Sequence, residues 1–284
     1  MSEAAAEAHP HSPKQGPAEG RIARAFARLA QSRELGIVAY ITAGDPSLDA
    51  SVQIALAAAQ AGACLIELGV PFSDPVADGP TIQRSSERAI RAGASLAGVI
   101  EVVRRIRAQS QVPLILFSYF NPILRMGLEK FAASAAQAGA DGALATDLTP
   151  EEAAEYRAAM RARNLGTIFL AAPTSNDARL ARIAECSSGF LYLISRTGVT
   201  GAREALPEDL PALVARTRRF TRLPLAVGFG VSLPAHIAAL RGVADAAVVG
   251  SALVAEIEKS ASAAEAASSV AERVRLLAEA GRSR

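Results

Sequence analysis

Short apolar runs alternate with longer amphipathic segments along most of the chain. The eight runs are nearly free of charge, which is typical of strands that are covered on both faces of a sheet. They cover residues 37–42, 64–70, 113–117, 142–145, 167–171, 190–195, 224–228 and 244–249. The segments between them carry apolar residues at helical spacing and cover residues 51–61, 96–108, 128–138, 151–163, 176–185, 208–218 and 234–240.

This rhythm predicts an α/β fold with a parallel sheet in one domain. Eight strand–helix units in about 260 residues fit a closed (β/α)8 TIM barrel better than an open, doubly wound sheet. An extra N-terminal helix is predicted from Arg21, and a last helix ends near Gly281. We expect residues 21–284 to form the catalytic barrel domain and residues 1–20, rich in Ala, Pro and Ser, to form a disordered tail.

Composition excludes several classes of protein. The net charge of +2 is mixed along the chain, which argues against nucleic acid as a partner. No apolar run reaches the length of a membrane span, and no secretory signal is recognisable. Cys64 and Cys186 lie far apart, which favours free thiols in a reducing cytoplasm. His9 and His11 flank a proline in the tail, where solvation is favoured over metal binding, so no metal site is expected.

One carboxylate interrupts the second apolar run. Glu67 lies between Ile66 and Leu68, so in a strand it shares its face with Leu65 and Gly69. A buried carboxylate must be paired, hydrogen-bonded or protonated. Position alone therefore leaves two interpretations balanced: an internal salt bridge or amide cap, and a proton-transfer residue whose pKa burial has raised.

The loop after this strand is rigid and acidic. Residues 71–80 contain three prolines, one glycine and two acids, Asp74 and Asp78. Either acid alone is more often a turn or capping residue. Together with Glu67 they place three carboxylates within twelve residues at the catalytic end of a barrel strand, where different environments can divide acid and base roles.

Glycines cluster at the ends of the last three predicted strands. Backbone amides without side-chain obstruction at a helix N-terminus bind anions, so these turns favour a substrate that carries phosphate. Residues 197–206 form a long loop that is a plausible closing lid. Aromatic and hydroxyl side chains at strand ends could contact a ligand, although packing explains them equally well; these are Tyr40, Thr42, Tyr119, Asn121 and Tyr192.

Several of these motifs together resemble the alpha subunits of tryptophan synthase. The resemblance covers residues 21–280 in order, and its most specific part is the strand-two segment with Glu67, Asp74 and Asp78. It continues through the segments 42–46, 119–122, 197–201, 228–232 and 249–252. The resemblance implies a TIM barrel that cleaves indole-3-glycerol phosphate to indole and glyceraldehyde 3-phosphate.

The resemblance also implies a role for each matching residue. Glu67 would be the general acid–base for indole C3 and the glycerol hydroxyl, Asp78 would bind the indole nitrogen, and Tyr192 would stand beside Glu67. Arg196 and Thr200 would belong to the lid. The substrate would be bound by Tyr40, Thr42, Tyr119, Thr200, Gly201, Phe229, Gly230, Gly250 and Ser251.

The family works with a beta subunit in an alpha-beta-beta-alpha tetramer, and pyridoxal phosphate belongs to that subunit. The resemblance therefore implies no cofactor in this chain. Thr149 stands where the family usually has proline, in a loop that faces the beta subunit, and Phe190 replaces a tyrosine of some members. The alternatives are a stand-alone lyase that releases free indole, a catalytically silent activator, and a different phosphosugar barrel enzyme.

Overall fold

The computed structural model describes residues 20–194, 207–228 and 230–282. Within them, nine parallel strands form one sheet with the order β5-β4-β3-β2-β1-β9-β8-β7-β6. The strands are β1 (Gly36–Thr42), β2 (Ala63–Gly69), β3 (Leu114–Ser118), β4 (Gly142–Ala145), β5 (Gly166–Ile168), β6 (Leu170–Ala171), β7 (Leu191–Ile194), β8 (Leu225–Gly228) and β9 (Ala246–Val249).

The two edges of this sheet belong to one predicted strand. β5 and β6 are the two parts of the apolar run 167–171, separated by Phe169, and they pair with β4 and β7 respectively. The two edge strands of the sheet are therefore consecutive in the chain, and the barrel closes at this position. The eight predicted runs form the TIM barrel that the sequence indicated, with the fifth strand divided in two.

One helix precedes the first strand, and the others connect the strands or follow the last one. They are α1 (Arg21–Ser32), α2 (Leu48–Gln60), α3 (Pro80–Arg91), α4 (Leu96–Arg107), α5 (Phe120–Met126), α6 (Leu128–Ala138), α7 (Ala154–Ala162), α8 (Asp177–Cys186), α9 (Leu210–Arg218), α10 (Pro234–Leu240), α11 (Ser251–Lys259) and α12 (Ala263–Gly281). Among the described residues, no helix is both long and apolar enough to cross a bilayer.

Two apolar layers follow from the alternation of side chains along each strand. In β2, Leu65 belongs to the cluster inside the barrel, whereas Ile66 and Leu68 pack between sheet and helices. The predicted N-terminal helix contributes to the inner layer, because Ile22 and Phe26 of α1 join it. The α1 helix thus closes the end of the barrel at which the strands begin.

Local capping explains where the predicted helix boundaries were displaced. Helix α2 begins three residues before the predicted segment because the Ser47 side chain accepts a hydrogen bond from the backbone N–H of Ala50. Helix α3 was not among the predicted segments; it begins at Pro80, whose fixed φ suits the first helical position. The predicted segments 128–138 and 234–240 coincide with α6 and α10.

Candidate active site

Glu67 lies inside the barrel, two residues before the end of β2. Its side chain is fully buried, and neither carboxyl oxygen has a hydrogen-bond partner among the described residues. No described residue therefore forms the salt bridge or amide cap that was the alternative interpretation. Burial disfavours the charged form and raises the pKa of Glu67 from 4.5 to about 8.

Two tyrosines lie close to this carboxyl group. Tyr40 is the register partner of Glu67 on β1, and Tyr192 lies on β7 across the barrel interior. Burial raises the pKa of the Tyr192 hydroxyl well above 10, and the negative charge of Glu67 raises it further. The same holds for Tyr40, whose pKa is also raised by Asp78. These four ionisable groups therefore face one space.

Glycines at two strand ends make room for the tyrosine hydroxyls. A Cβ at Gly69 would lie 2.2 Å from Tyr40 Oη, and a Cβ at Gly228 would lie 2.1 Å from Tyr192 Oη. No side chain can enter at either position without displacing a tyrosine. Both glycines are thus packing requirements of the site. The sequence had indicated phosphate binding for the turn at Gly228 and no role for Gly69.

Asp78 is half-buried and held by its own loop and by β3. The Tyr119 hydroxyl donates to Asp78 Oδ2 at 3.2 Å and accepts from the backbone N–H of Ala77 at 2.9 Å. Gln83 Nε2 donates to the Asp78 carbonyl at 2.9 Å. Burial raises the pKa of Asp78 to about 6, against the hydrogen bond from Tyr119, which lowers it. The carboxyl group is therefore ionised at neutral pH and fixed in orientation.

Asp74 lies in a different environment. It is exposed, and Ser73 Oγ donates to its Oδ2 at 2.5 Å. The two loop acids that looked alike in sequence are thus separated by burial. Gln83 was not singled out from sequence, and a polar residue in the first turn of a helix offers no signal that distinguishes it from a solvated side chain.

Thr42 is buried at the end of β1 and contacts α3. Its hydroxyl lies 2.6 Å from that of Ser85, and Ser85 Oγ donates to the carbonyl of Ile82 at 2.8 Å. Thr42 therefore anchors the helix that follows Asp78. Its predicted contact with substrate stays a prediction.

The expected anion site lies partly within the described residues. Gly250 directly precedes α11, which begins at Ser251, so the first N–H groups of this helix face the end of β9. Gly230 has a φ of 95°, a conformation that favours glycine. Tyr40 packs against Gly250, since a Cβ there would lie 3.4 Å from Tyr40 Cδ1. Tyr40 thus lies between the acid of β2 and the start of α11.

Several predicted residues lie outside the described ranges. They are the substrate-binding residues Thr200, Gly201 and Phe229, and Arg196 together with the rest of the lid at 197–206. The predicted tail falls outside as well, apart from Gly20.

A large cavity lies at the end of the barrel where the strands begin, and Glu67, Asp78, Tyr40 and Tyr192 are not among its lining residues. It has a volume of about 1120 Å³ and lies between α1 and the N-terminal ends of the strands. Its two aspartates have structural partners: Asp141 binds Arg107 and the backbone N–H of Leu114, and Asp245 binds Arg218. Acids that are already paired with arginine and amide groups are not available for proton transfer.

The raised pKa of Glu67 predicts a dependence of stability on pH. The unfolded chain releases this proton near pH 4.5 and the folded chain near pH 8, so folding retains a proton between these values. The contribution of Glu67 to the free energy of unfolding therefore falls as pH rises from about 4.5 to 8. We expect Glu67→Gln to match the native chain in urea denaturation near pH 4.5 and to exceed it by a few kcal/mol at pH 8. Parallel pH profiles of the two proteins would contradict this expectation.

Comparison with known proteins identifies relatives over nearly the whole described chain. The family model described as tryptophan synthase alpha chain matches residues 26–281. The tryptophan synthase alpha chain of Solibacter usitatus is 52% identical over 244 residues, which cover 86% of this chain and 91% of that protein. The alpha chain of Geobacter sulfurreducens is 48% identical and covers 92% and 98%, respectively.

Solved structures agree with these sequence relatives. A structure of Mycobacterium tuberculosis tryptophan synthase superposes with a TM-score of 0.86 at 35% identity, covering 93% of this chain and 99% of that chain. Tryptophan synthase subunit alpha from Legionella pneumophila gives a TM-score of 0.82 at 34% identity, with coverage of 92% and 98%.

Proposed function

Because the chain belongs to the tryptophan synthase alpha chain family, we propose that Glu67 and Asp78 cleave indole-3-glycerol phosphate to indole and glyceraldehyde 3-phosphate. The observation that carries these roles is that two carboxyl groups, each close enough to Tyr40 and Tyr192 to raise the pKa of their hydroxyls, have different pKa values themselves, about 8 for Glu67 and about 6 for Asp78. At neutral pH Glu67 is protonated and can act as the acid, whereas Asp78 is ionised and can stabilise a positive charge.

Glu67 moves protons in two steps. It donates its proton to indole C3, which places a positive charge on the indole nitrogen. The bond between C3 and the glycerol carbon then breaks, and its electron pair returns to the ring. The glycerol hydroxyl on that carbon becomes an aldehyde, and its proton passes to the Glu67 carboxylate. The residue ends in its starting state, and atoms and charge balance.

Asp78 stabilises the intermediate charge. Its carboxylate accepts the indole N–H and lies opposite the positive charge that forms when C3 is protonated. Tyr119 donates to this carboxylate before substrate binds, and the backbone N–H of Asp78 donates to the Pro75 carbonyl and so fixes the loop that carries it. Because the protonated indole ring takes up the electron pair of the broken bond, this chemistry needs no cofactor in the chain.

The remaining site residues bind substrate. We assign the phosphate to the N-terminus of α11 at Gly250 and Ser251, together with Gly230, Gly201, Thr200 and Phe229. Tyr40 and Tyr192 form walls beside Glu67, and Thr42 and Tyr119 support the adjacent loops. Tyr192 excludes water from the carboxyl group and thus sustains its raised pKa.

We further propose a beta subunit as partner, in an alpha-beta-beta-alpha tetramer within the cytoplasm, with pyridoxal phosphate on that subunit. The loop after β4 is a candidate contact surface. Thr149 Oγ1 donates to Glu152 Oε2 at 3.1 Å, and Asp147 Oδ1 accepts from the backbone N–H of Phe120 at 2.6 Å. Thr149 therefore begins its own short turn, a role that the proline usual in the family would fill by its fixed φ.

The activity is tested by indole release from indole-3-glycerol phosphate by the purified chain, with and without a beta subunit. We expect slow release alone and a strong increase with the partner. Full activity of the chain alone would favour the stand-alone lyase, and no turnover under either condition would reject the proposed reaction.

A further inference from the structure

A chain of ion pairs joins three segments at the catalytic end of the barrel. Arg88 of α3 binds both oxygens of Asp45, which follows β1, at 2.9 and 2.7 Å. Its remaining guanidinium nitrogen donates to Glu258 of α11 at 2.7 Å. Arg84, one turn earlier on α3, binds both oxygens of Glu258 at 2.8 Å. We call these four residues the rim bridge.

The rim bridge is better formed than an ordinary surface ion pair. Asp45 is only 2% exposed, and the side chains of Arg88 and Glu258 are 30% and 29% exposed, whereas Arg84 at the outer end is 51% exposed. Both Asp45 and Glu258 receive two hydrogen bonds from one guanidinium group, a planar geometry that restricts orientation as well as distance. The two arginines also hold the pKa of Glu258 at about 2. The bridge therefore persists over the whole physiological pH range.

The position of the bridge relates it to the site. Helix α3 starts two residues after Asp78, and Arg88 lies eight residues after Pro80, about 12 Å along the helix. Helix α11 starts at Ser251, and Glu258 lies about 10 Å along it. The bridge thus joins α3, which follows the Asp78 loop, to α11, whose first turn faces the proposed phosphate site. It does so at a similar distance from the start of each helix.

We propose that Glu258 is a positioning residue that couples the two halves of the substrate site. Through Arg84 and Arg88 it fixes the start of α11 relative to the Asp78 loop, so that occupation of the phosphate end favours occupation of the indole end. This inference rests on the proposed function for the identity of the two ends, whereas the coupling itself is a property of binding.

Calorimetric titration of the full chain tests the coupling without chemistry. Glycerol 3-phosphate represents the phosphate half of the substrate, and indole represents the other half. We expect the native chain to bind indole about fivefold more tightly when glycerol 3-phosphate is present. In Glu258→Gln this enhancement should disappear while the affinity for indole alone is unchanged. Arg84→Gln, which leaves the Arg88–Asp45 pair in place, should reduce it partly.

Glu256→Gln provides the matched control. Glu256 lies on the same helix, and its ion pair with Arg273 of α12 has the same 2.7 Å separation and similar exposure. This variant should keep the enhancement. Equal loss of the enhancement in both variants would mean that any loosening of α11 abolishes the coupling, and it would overturn the proposal. Full coupling in Glu258→Gln, or no coupling in the native chain, would overturn it as well.

Failure of the inference is distinguishable from failure of the proposed reaction. A native chain that cleaves substrate but binds the two halves independently contradicts the coupling alone. A native chain that couples the two ligands but releases no indole contradicts the reaction alone, and the comparison of Glu258→Gln with Glu256→Gln still decides the role of the rim bridge.

Discussion

Replacing Glu67 with glutamine is expected to lower the rate of indole release by a factor of about 10²–10⁴, the range for loss of a general acid–base. Glutamine has nearly the same shape, so the packing around the fully buried side chain is kept. It cannot donate its proton to C3 or take one from the glycerol hydroxyl. Steady-state assays over pH 6–9 measure the loss, which should appear in kcat with little change in substrate affinity.

The stability of the same variant separates lost chemistry from lost folding. Because the native carboxyl group has no described partner, the substitution breaks no hydrogen bond of the described residues. A variant that is inactive and less stable than the native chain at pH 8 would contradict this account, since it would reveal a structural partner for Glu67. Exposed Glu101 of α4 is a suitable control position, and Glu101→Gln should leave the rate unchanged.

Replacing Asp78 with asparagine is expected to lower kcat about 10²–10³-fold, the range for loss of one electrostatic stabiliser of the transition state. The amide oxygen can still accept the indole N–H, so binding of neutral indole should weaken far less than catalysis. The negative charge that opposes the cationic intermediate is lost. Comparison of kcat with the dissociation constant of indole measures the two effects separately.

Asp74 provides the matched control for Asp78, four residues earlier on the same loop. It is exposed and bonded to Ser73. Asp74→Asn should therefore change the rate of the isolated chain by less than a factor of about ten, because interactions of exposed charges are typically worth about 1 kcal/mol or less. Equal losses for the two variants would mean that the loop as a whole, and not the buried carboxylate, supports the reaction.

Much of the fold followed from local pattern. The eight apolar runs became barrel strands, and α6 and α10 lie where helical spacing placed them. Helices α3 and α5 and the division of the fifth strand at Phe169 were not anticipated. Half of the buried residues of α3 are serines, so its sequence shows no apolar period, and the seven residues of α5 are too few for one. The fifth strand is divided because its two parts pair with different neighbours, β4 and β7.

The candidate site was harder to predict than the fold. Resemblance to a family pointed to Glu67, Asp78 and Tyr192, and in the structure both acids lie close enough to Tyr192 to raise the pKa of its hydroxyl. Gln83 and the rim bridge were not identified, since their partners are distant in sequence: Arg88 and Glu258 are separated by 170 residues. Such contacts leave no trace in the spacing of residues.

The sequence by itself determined the barrel, the acid within its second strand and the glycine-rich strand ends, because periodicity and residue chemistry are local properties. It left the role of Glu67 balanced on position alone. Only the tertiary structure decided that Glu67 is buried without a described partner, that Asp78 is half-buried against Tyr119, and that Asp74 is exposed. Burial and partnership depend on what the rest of the chain brings to a side chain, and they determine which carboxyl group keeps its proton at neutral pH.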